Sequence, residues 1–406
     1  MAPMMGCRER GLQRTAGRYG QPRVLALLLL SLSTVALCQH DKTGEHLHSL
    51  YPLRSEVAIG FNLGQSYGTS VARFENGTIL NLAKVPASPE YMTLMARLVE
   101  APQTPYWRSL FGAAGKWLGW WRLLRRLVGF AGTDEATILA QLVTALKAES
   151  EAALEARIDV VSVTAPWVAA WENDIPVDSV INDALVSAGL KPWTWEASGP
   201  IYLSEPSGVL AANGHRLCKE RWCRLDEDDT SDLWPQIVFF ISLTNHSLYT
   251  TFQATRCYYH RAWESYLPTV DTKYGLDEVP ENTTEHFWNA LRDHLLSSVV
   301  EFSKRNTGYK YSNFIVLTAG ESADRPEFVD VVRSVAESIP KVRTDHGAAT
   351  LPKVELVMPD DPAFSAARGA AFWLRSRMDW SYCDGFDDIV SQYDVTNEGP
   401  DGHIEL

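Results

Sequence analysis

A glycine-bearing hairpin places the strongest constraint on how this chain can fold. The run IGFNLGQSYGTSVARFENG, Ile59 to Gly77, alternates apolar and small or polar residues on both sides of a short glycine turn. Period-two alternation around such a turn predicts two antiparallel strands, 56–61 and 67–74. Asn76-Gly77 then predicts a hairpin turn into a third strand at 78–82. Because a glycine lets backbone amides approach an anion closely, the hairpin has the form of a phosphate-binding loop.

Downstream of this hairpin, helix and strand patterns alternate, and a second strand pair restarts the series. The first half carries a helix after Thr133, a buried strand at 159–166 and two helices that end at Gly189 and Gly214. The second half opens with the strands QIVFFISL and SLYTTFQAT, continues with a helix at 283–305 and closes with the helix DPAFSAARGAAFWLRSRM. Hairpins followed by strand–helix alternation in each half predict two similar α/β lobes.

The predicted organisation has five parts. They are a leader at 1–38, lobe I at 39–217, a charged connector at 218–235, lobe II at 236–380 and a polar tail at 381–406. An insertion at 106–132 interrupts lobe I. The connector is placed where the composition turns strongly charged, between two segments that each begin with a strand pair.

The two ends of the chain predict a protein of the endoplasmic reticulum lumen. Five arginines precede the apolar run Val24 to Leu37, whose 14 residues are typical of a signal peptide and short for a membrane span. Ala36 and Cys38 form a small-x-small pattern that predicts cleavage before Gln39, with an uncleaved anchor as the alternative. The last four residues, His403 to Leu406, read HIEL and resemble the retrieval signal HDEL.

Glycosylation sequons and an even set of cysteines agree with this compartment. Three asparagines head Asn-x-Ser/Thr sequons: Asn76, Asn245 and Asn282. Four cysteines follow the leader: Cys218, Cys223, Cys257 and Cys383. In an oxidising compartment they are disulfide candidates with three connectivities, and four free thiols are the alternative. Their spacing lacks the second ligand pair of a structural zinc site, so the sequence predicts no metal there.

The charge distribution excludes one class of partner and singles out one segment. A formal net charge of −13 argues against nucleic acid, because phosphates select basic surfaces. The segment 106–132 is the opposite, with five basic residues, no acid and apolar residues at three- and four-residue steps. This pattern predicts a tryptophan-rich amphipathic helix. Such a helix either makes a peripheral membrane contact or packs on its own lobe with its arginines outward, and both alternatives stay open.

The order of these motifs resembles the nucleotide-binding half of the seventy-kilodalton heat-shock chaperone family. The hairpin is similar to that family's first phosphate motif, I-G-I-D-L-G-T-T. The segments IYLSEPSGVLAANG, FIVLTAGESADRPEFVDVVRSV and DPAFSAARGAAFWL resemble, in the same order, its N-E-P, adenosine and closing-helix motifs. The likeness runs with gaps from about residue 56 to residue 377. It implies an actin-like ATPase fold, in which two α/β, ribonuclease-H-like lobes surround a cleft that holds ATP.

The resemblance also places a residual nucleotide site. Its residues are Asn62, Gly64, Gln65, Ser66, Tyr67, Glu205, Gly320, Glu321 and Ser322. In the family an aspartate stands in each phosphate loop near hydrated Mg²⁺, because a hard dication prefers anionic oxygen. Here Asn62 replaces the first aspartate, and SLTNHSLY at 242–249 replaces D-L-G-G-G-T-F-D, losing both aspartates and all three glycines. Glu205 is retained as the residual catalytic candidate, with capping of the helix opened by Pro206 as its structural alternative.

These losses predict a degenerate site. Phosphoryl transfer depends on positioning and on charge neutralisation, and the changes remove both together. The sequence therefore predicts a pseudoenzyme or co-chaperone that binds a protein partner or chaperone, with no confident cofactor. ATP or ADP binding stays open, Mg²⁺ is disfavoured, and the alternative function is a slow chaperone-type ATPase. A glycan on Asn245 would stand at the cleft mouth, so we also predict that Asn245 is glycosylated and that nucleotide affinity is negligible.

Overall fold

The structure is a computed structural model that describes residues 57–101, 134–172, 179–192, 201–215, 236–255, 264–279, 284–306, 313–345 and 352–378. All of these belong to one compact unit, Leu53–Leu406. Several sequence-based predictions lie outside the described residues. They concern the leader 1–38, the segment 106–132, the connector 218–235, the four cysteines, Asn282 and the HIEL tail.

The first lobe is built on a five-stranded mixed sheet. Its strands are β1 (Val57–Leu63), β2 (Tyr67–Phe74), β3 (Ile79–Pro86), β4 (Ser162–Ala165) and β5 (Leu203–Ser204), in the order β3-β2-β1-β4-β5. β1, β2 and β3 are antiparallel neighbours, whereas β4 and β5 run parallel to β1. The helices of this part of the chain are α1 (Pro89–Glu100), α2 (Asp134–Leu154), α3 (Ala169–Glu172), α4 (Val180–Ser187) and α5 (Glu205–Ala212).

The second lobe repeats this plan. Its strands are β6 (Gln236–Leu243), β7 (Leu248–Thr255), β8 (Glu264–Asp271), β9 (Asn313–Ala319) and β10 (Lys353–Val357), in the order β10-β9-β6-β7-β8. The remaining elements are 3₁₀ turns at Thr272–Tyr274 and Leu276–Glu278 and the helices α6 (Thr284–Arg305), α7 (Pro326–Asp345) and α8 (Ser365–Met378). Each sheet thus has its first strand in the middle, a hairpin on one side and two parallel strands on the other. This duplicated ribonuclease-H-like plan confirms the predicted actin-like ATPase fold class.

The strand registers make the turn of the β1–β2 hairpin equivalent to the turn of the β6–β7 hairpin. β1 pairs with β2 so that Leu63 faces Gly68, and β6 pairs with β7 so that Leu243 faces Leu248. Each hairpin therefore closes with four residues, 64–67 in the first lobe and 244–247 in the second. The sequence predicts two similar halves from the order of their elements. The structure shows that the two hairpins also match in strand register at their turns.

Side-chain alternation divides the second sheet into two faces. One face packs on α6 and α7, and its centre is a stack in which Phe252 lies between Phe239 and Phe302, with ring centroids 4.2 and 4.4 Å apart. The opposite face carries polar side chains such as Ser242 and Gln253, which hydrogen-bond to the first lobe. The alternation of the strands therefore aims these polar groups at the cleft.

The last helix returns to the first lobe. The sequence-based division places α8 within lobe II, but its contacts are with β1, β2, β4 and α5. Small residues allow this approach, since a Cβ on Gly60 would overlap the backbone of α8 and one on Gly369 would overlap the backbone of Gly208. The chain crosses from one lobe to the other here because α8 buries its alanine-rich face on the first sheet.

Several elements differ from the sequence-based prediction, among them α1, β8 and α7. Helix α1 was not predicted, although Ser88 caps it by accepting from Tyr91 N and Pro89 stands in its first turn. Strand β8 was missed because Pro268 argues against a strand, yet a proline is tolerated in an edge strand. The stretch RPEFVDVVRSVAESI predicts a helix that ends at Ile339, whereas α7 continues through Pro340 to Asp345.

Candidate functional site

A glutamine from the first turn reaches across the cleft to the second lobe. Gln65 is 2% exposed, and its Nε2 donates to Ser242 O at 3.4 Å and to Ser242 Oγ at 3.3 Å. Ser242 lies two residues before the second turn. By the resemblance, phosphate groups would lie between the turns 64–67 and 244–247. In this structure a side chain of the protein spans that space.

The second turn uses all of its backbone N–H groups within the protein. The acceptors for residues 244 to 247 are, in order, Ser247 O (2.9 Å), Glu321 Oε1 (3.2 Å) and, for the last two, Thr244 Oγ1 (3.2 and 3.0 Å). A phosphate loop works because its N–H groups point unpaired at the ligand. The four N–H groups of this turn are already engaged, so none is left to bind a phosphate.

A neighbouring 3₁₀ turn braces the second turn from outside. Asp277 N donates to Asn245 O at 2.8 Å, and His246 Nδ1 lies 2.9 Å from Asp277 Oδ2. Gly275 packs so closely that a Cβ there would overlap the backbone of His246. These contacts hold the turn in its self-bonded conformation.

A carboxylate occupies the place of an anion between the lobes. Glu321 Oε1 accepts from Asn245 N at 3.2 Å, and Glu321 Oε2 forms an ion pair with Lys84 of β3. The Glu321 side chain is 9% exposed, and the Lys84 ammonium also lies 5.4 Å from the ring centroid of Tyr67. A loop amide on one side and a lysine on the other are groups that bind phosphate oxygens. Here they bind a carboxylate of the chain itself.

Asn62 and Glu205 form a buried hydrogen-bonded pair at the base of the first turn. Asn62 Nδ2 donates to Glu205 Oε1 at 3.0 Å, and Thr164 Oγ1 donates to Asn62 Oδ1 at 3.1 Å. A Cβ on Gly64 would lie 3.3 Å from the same Glu205 oxygen. An aspartate in place of Asn62 would put two carboxyl groups in contact, which requires a shared proton or a cation between them. The amide requires neither.

Burial shifts the pKa of several groups around this pair. Glu205 is 3% exposed, and desolvation raises its pKa to about 7, while the bond from Asn62 acts in the opposite direction. Burial also raises the pKa values of Tyr67, Tyr91 and Tyr249, and the nearby Glu205 charge adds to each shift. The pKa of Glu205 therefore lies near neutral pH.

Atoms of the first turn that lack a protein partner have the wrong chemistry for phosphate. Within the described part of the chain, Glu205 Oε2, Gln65 Oε1 and Ser66 Oγ are buried and have no hydrogen-bond partner. The first two are oxygens of a carboxyl group and an amide carbonyl, which only accept hydrogen bonds when the carboxyl group is ionised, whereas the hydroxyl also donates. Oxygens of this kind suit a hydrogen-bond donor or a cation and repel a phosphate.

Further hydrogen bonds link the lobes away from the turns. Ser204 Oγ, which caps α5, donates to Gln253 Oε1 of β7 at 3.1 Å. At the end of α1, Glu100 Oε1 accepts from Val270 N of β8 at 3.0 Å. Asp361, which follows β10, accepts from Asn81 Nδ2 of β3 at 2.7 Å. Within the described residues, these hydrogen bonds join the two lobes at three further points.

The structure assembles the predicted site residues into two groups. Asn62, Gly64, Gln65, Ser66, Tyr67 and Glu205 gather at the first turn, and Gly320, Glu321 and Ser322 lie at the second. Gly320 has φ +101°, and a Cβ there would overlap the backbone of Leu243, so its glycine is required by packing. Sequence reasoning missed Lys84 and Thr164. A lysine in a mostly apolar strand is the available signal for Lys84.

The two described sequons differ in their surroundings. Asn76 is exposed in the β2–β3 turn, where its Oδ1 accepts from Thr78 N at 2.9 Å. Asn245 is half-buried, and its Oδ1 accepts from Ser322 Oγ at 2.8 Å. Glycosylation of Asn245, which the sequence predicts, stays a prediction, and the geometry at Asn76 is the more open of the two.

The described ranges show neither a metal-binding cluster nor a membrane-spanning helix. They contain no group of three or more His, Cys, Asp or Glu side chains arranged to hold a metal ion. Among the helices that the structure describes, none is both long and apolar enough to cross a bilayer.

Comparisons with known proteins yield structural likeness only. No protein-family model matches the chain, and no curated protein sequence matches it. It is similar in structure to the ethanolamine utilization protein EutJ from Carboxydothermus hydrogenoformans, at 12% identity and a TM-score of 0.38, over 79% of this chain and 90% of that one. A ROK family glucokinase from Streptomyces griseus, in complex with glucose and AMPPNP, is similar at 11% identity and a TM-score of 0.40, over 79% and 99%. At these values the fold assignment rests on the strand orders and directions given above.

Proposed function

We propose that this protein is a pseudoenzyme of the secretory pathway, a protein-binding module on an actin-like ATPase fold whose cleft is closed by its own side chains. One observation carries the proposal: every backbone N–H of the second turn, 244–247, donates within the protein. Binding a nucleotide phosphate at this turn would first require breaking some of these bonds. Breaking each hydrogen bond costs free energy, because a buried donor that loses its partner is unfavourable.

Glu321 is the residue that connects the two lobes at the second turn. Its carboxylate bridges Asn245 N and Lys84, so it ties the second turn to the first lobe as a phosphate would in a working ATPase. Gln65 adds a second bridge to Ser242. Closure of the lobes is therefore built into the chain. A domain closed in this way presents a constant outer surface to partners, which is the behaviour of a binding module.

Asn62 supports the same conclusion at the first turn. Its amide satisfies Glu205 by a direct hydrogen bond, a role that an aspartate fills only together with a cation or a proton. In the sequence, Asn62 looks like the loss of a metal-binding aspartate. In the structure it stabilises the pair with Glu205 in the absence of Mg²⁺. The alternative, a slow ATPase, would need Gln65 and Glu321 to withdraw so that the cleft opens.

The test is nucleotide binding and turnover by the purified protein. We expect no heat of binding and no thermal shift with millimolar ATP or ADP, with or without Mg²⁺, and no phosphate release. Glu321→Ala should create an affinity for inorganic phosphate, because it frees Lys84 and Asn245 N, whereas Asp324→Ala, at an exposed position of the same turn, should not. Magnesium-dependent turnover or micromolar ATP affinity in the unmodified protein would overturn the proposal in favour of the ATPase.

A further inference from the structure

Helices α6 and α7 form a groove on the second lobe. They pack on the same face of the second sheet, and a cavity of about 480 Å³ lies between them. Its principal lining residues are Glu285, Trp288 and Arg292 of α6 and Glu327, Asp330 and Val331 of α7. In both helices the lining positions recur at steps of three and four residues, so each helix offers one continuous stripe to the groove. The contributing stretches, 285–292 and 327–334, are each about 10 Å long at 1.5 Å per residue.

The floor of the groove is apolar and its rim is charged. Trp288 and Val331 are 9% and 7% exposed, and both belong to the hydrophobic core of this lobe. Glu285, Glu327 and Asp330 are exposed on the rim, and Arg292 is the basic residue among the lining side chains. The lining side chains of the rim are therefore three carboxylates and one guanidinium. Arg333, 3.4 Å from Asp330, and Asp293, 3.6 Å from Arg292, add one charge of each sign and leave the net charge at −2. An apolar floor between charged walls is the composition of a recognition groove.

The charges are also ordered along the groove. Both helices run from the carboxyl ends of the parallel strands β6, β9 and β10 back towards their amino ends, so their N-termini lie at the same end. Glu285 and Glu327 stand in the first turns of the two helices, whereas Arg292 lies two turns further along. The helix dipole accounts for an acid in each first turn, and the ion pair with Arg333 accounts for Asp330, but neither accounts for the apolar floor. The groove is thus acidic at one end and basic at the other.

We infer that this groove binds a short cationic amphipathic helix of a partner protein. An apolar side chain of that helix packs on Trp288 and Val331, lysine or arginine side chains meet the carboxylates, and an acceptor meets Arg292. Charge complementarity favours a basic segment, since the rim carries a net charge of −2 from its three acids and one base. The inference rests on the proposed role as a binding module, but it concerns a surface that shares no residue with the cleft.

The probe is a synthetic Leu/Lys helical peptide labelled with a fluorophore, titrated into the purified protein at low salt. A Leu/Glu peptide of the same length and pattern is the charge control. We expect the Lys peptide to bind, the Glu peptide not to bind, and the double variant Glu327→Lys/Asp330→Lys to weaken binding about tenfold, since it replaces two attractive charges by two repulsive ones. Both positions are exposed, so the variant should retain the native fold. Glu149→Lys, on an exposed position of α2, applies the same kind of charge change to the first lobe and should leave affinity unchanged.

Zero-length carbodiimide cross-linking then locates the peptide, and we expect its lysines joined to Glu285, Glu327 or Asp330. Equal affinity of the double variant and Glu149→Lys, or cross-links confined to other carboxylates, would overturn the inference. Concentration-dependent self-association that the double variant abolishes would identify a second copy of the chain as the occupant. Cross-links from Lys116 of the segment 106–132, in the protein alone, would identify the chain's own basic segment as the occupant. Either result would also overturn the inference. None of these outcomes depends on nucleotide binding, so the groove and the pseudoenzyme proposal fail separately.

Discussion

Replacing Glu205 by glutamine should make the protein more stable at neutral pH and leave it unchanged in acid. Glu205 is buried beside Asn62, and desolvation raises its pKa from 4.5 to about 7. The folded state therefore holds this proton more tightly than the unfolded state does. In such a case the stabilising contribution of the protonated group is complete below pH 4.5 and is lost as the pH rises to about 7. Glutamine, which has the shape of the protonated acid, keeps that contribution at every pH.

The size of the effect follows from the shift. A pKa change of one unit corresponds to 1.36 kcal/mol, so the move from 4.5 to about 7 amounts to about 3 kcal/mol. The free energy of unfolding of Glu205→Gln should exceed that of the unmodified protein by about this amount at pH 7.5 and by nearly nothing at pH 4.5. Glu205→Gln keeps the hydrogen bond from Asn62 Nδ2, because the glutamine carbonyl oxygen accepts it in place of Glu205 Oε1.

Urea denaturation followed by tryptophan fluorescence, over pH 4.5 to 8, measures the difference. Glu337→Gln, on an exposed position of α7, is the matched control and should track the unmodified protein throughout. If the advantage of Glu205→Gln is the same at pH 5 and at pH 7.5, the buried carboxyl group is not the titrating group and the reasoning about the site is refuted. A loss of stability at all pH values would show that the carboxylate makes a contact that the amide cannot replace.

Three further predictions test other parts of the molecule. Gly369→Ala should lower the free energy of unfolding by roughly 1–3 kcal/mol despite alanine's better helix propensity, because its Cβ would overlap the backbone of Gly208; unchanged stability in urea would contradict the close packing of α5 and α8. Glycopeptide mass spectrometry should find a glycan on exposed Asn76 and also, if the sequence-based prediction holds, on Asn245; an unmodified Asn245 beside an occupied Asn76 would overturn only the second claim. Deleting His403 to Leu406 should increase the secreted fraction in cells, and an unchanged fraction would show that HIEL is not a retrieval signal.

Much of the fold was predictable because its signals are local. The hairpin 59–77 carries its own alternation and turn residues within a few positions, and the same holds for the strand pair at 236–255. The repeat of hairpin, helix and parallel strands in both halves then left few arrangements for the lobes. Elements with weaker local signals were missed, as with β8, whose Pro268 argues against a strand until an edge position is known.

The sequence by itself also determined that the phosphate loops depart from a working ATPase, since Asn62 and the glycine-free turn 244–247 are visible without coordinates. What replaces the phosphate was decided only by the tertiary structure. Gln65 and Ser242 are 177 residues apart, and the ion pair of Lys84 with Glu321 spans 237 residues. No periodicity links residues so distant, because they meet only when the two lobes come together. The same packing removes Glu205 from water and raises its pKa, a property that belongs to its surroundings rather than to the residue.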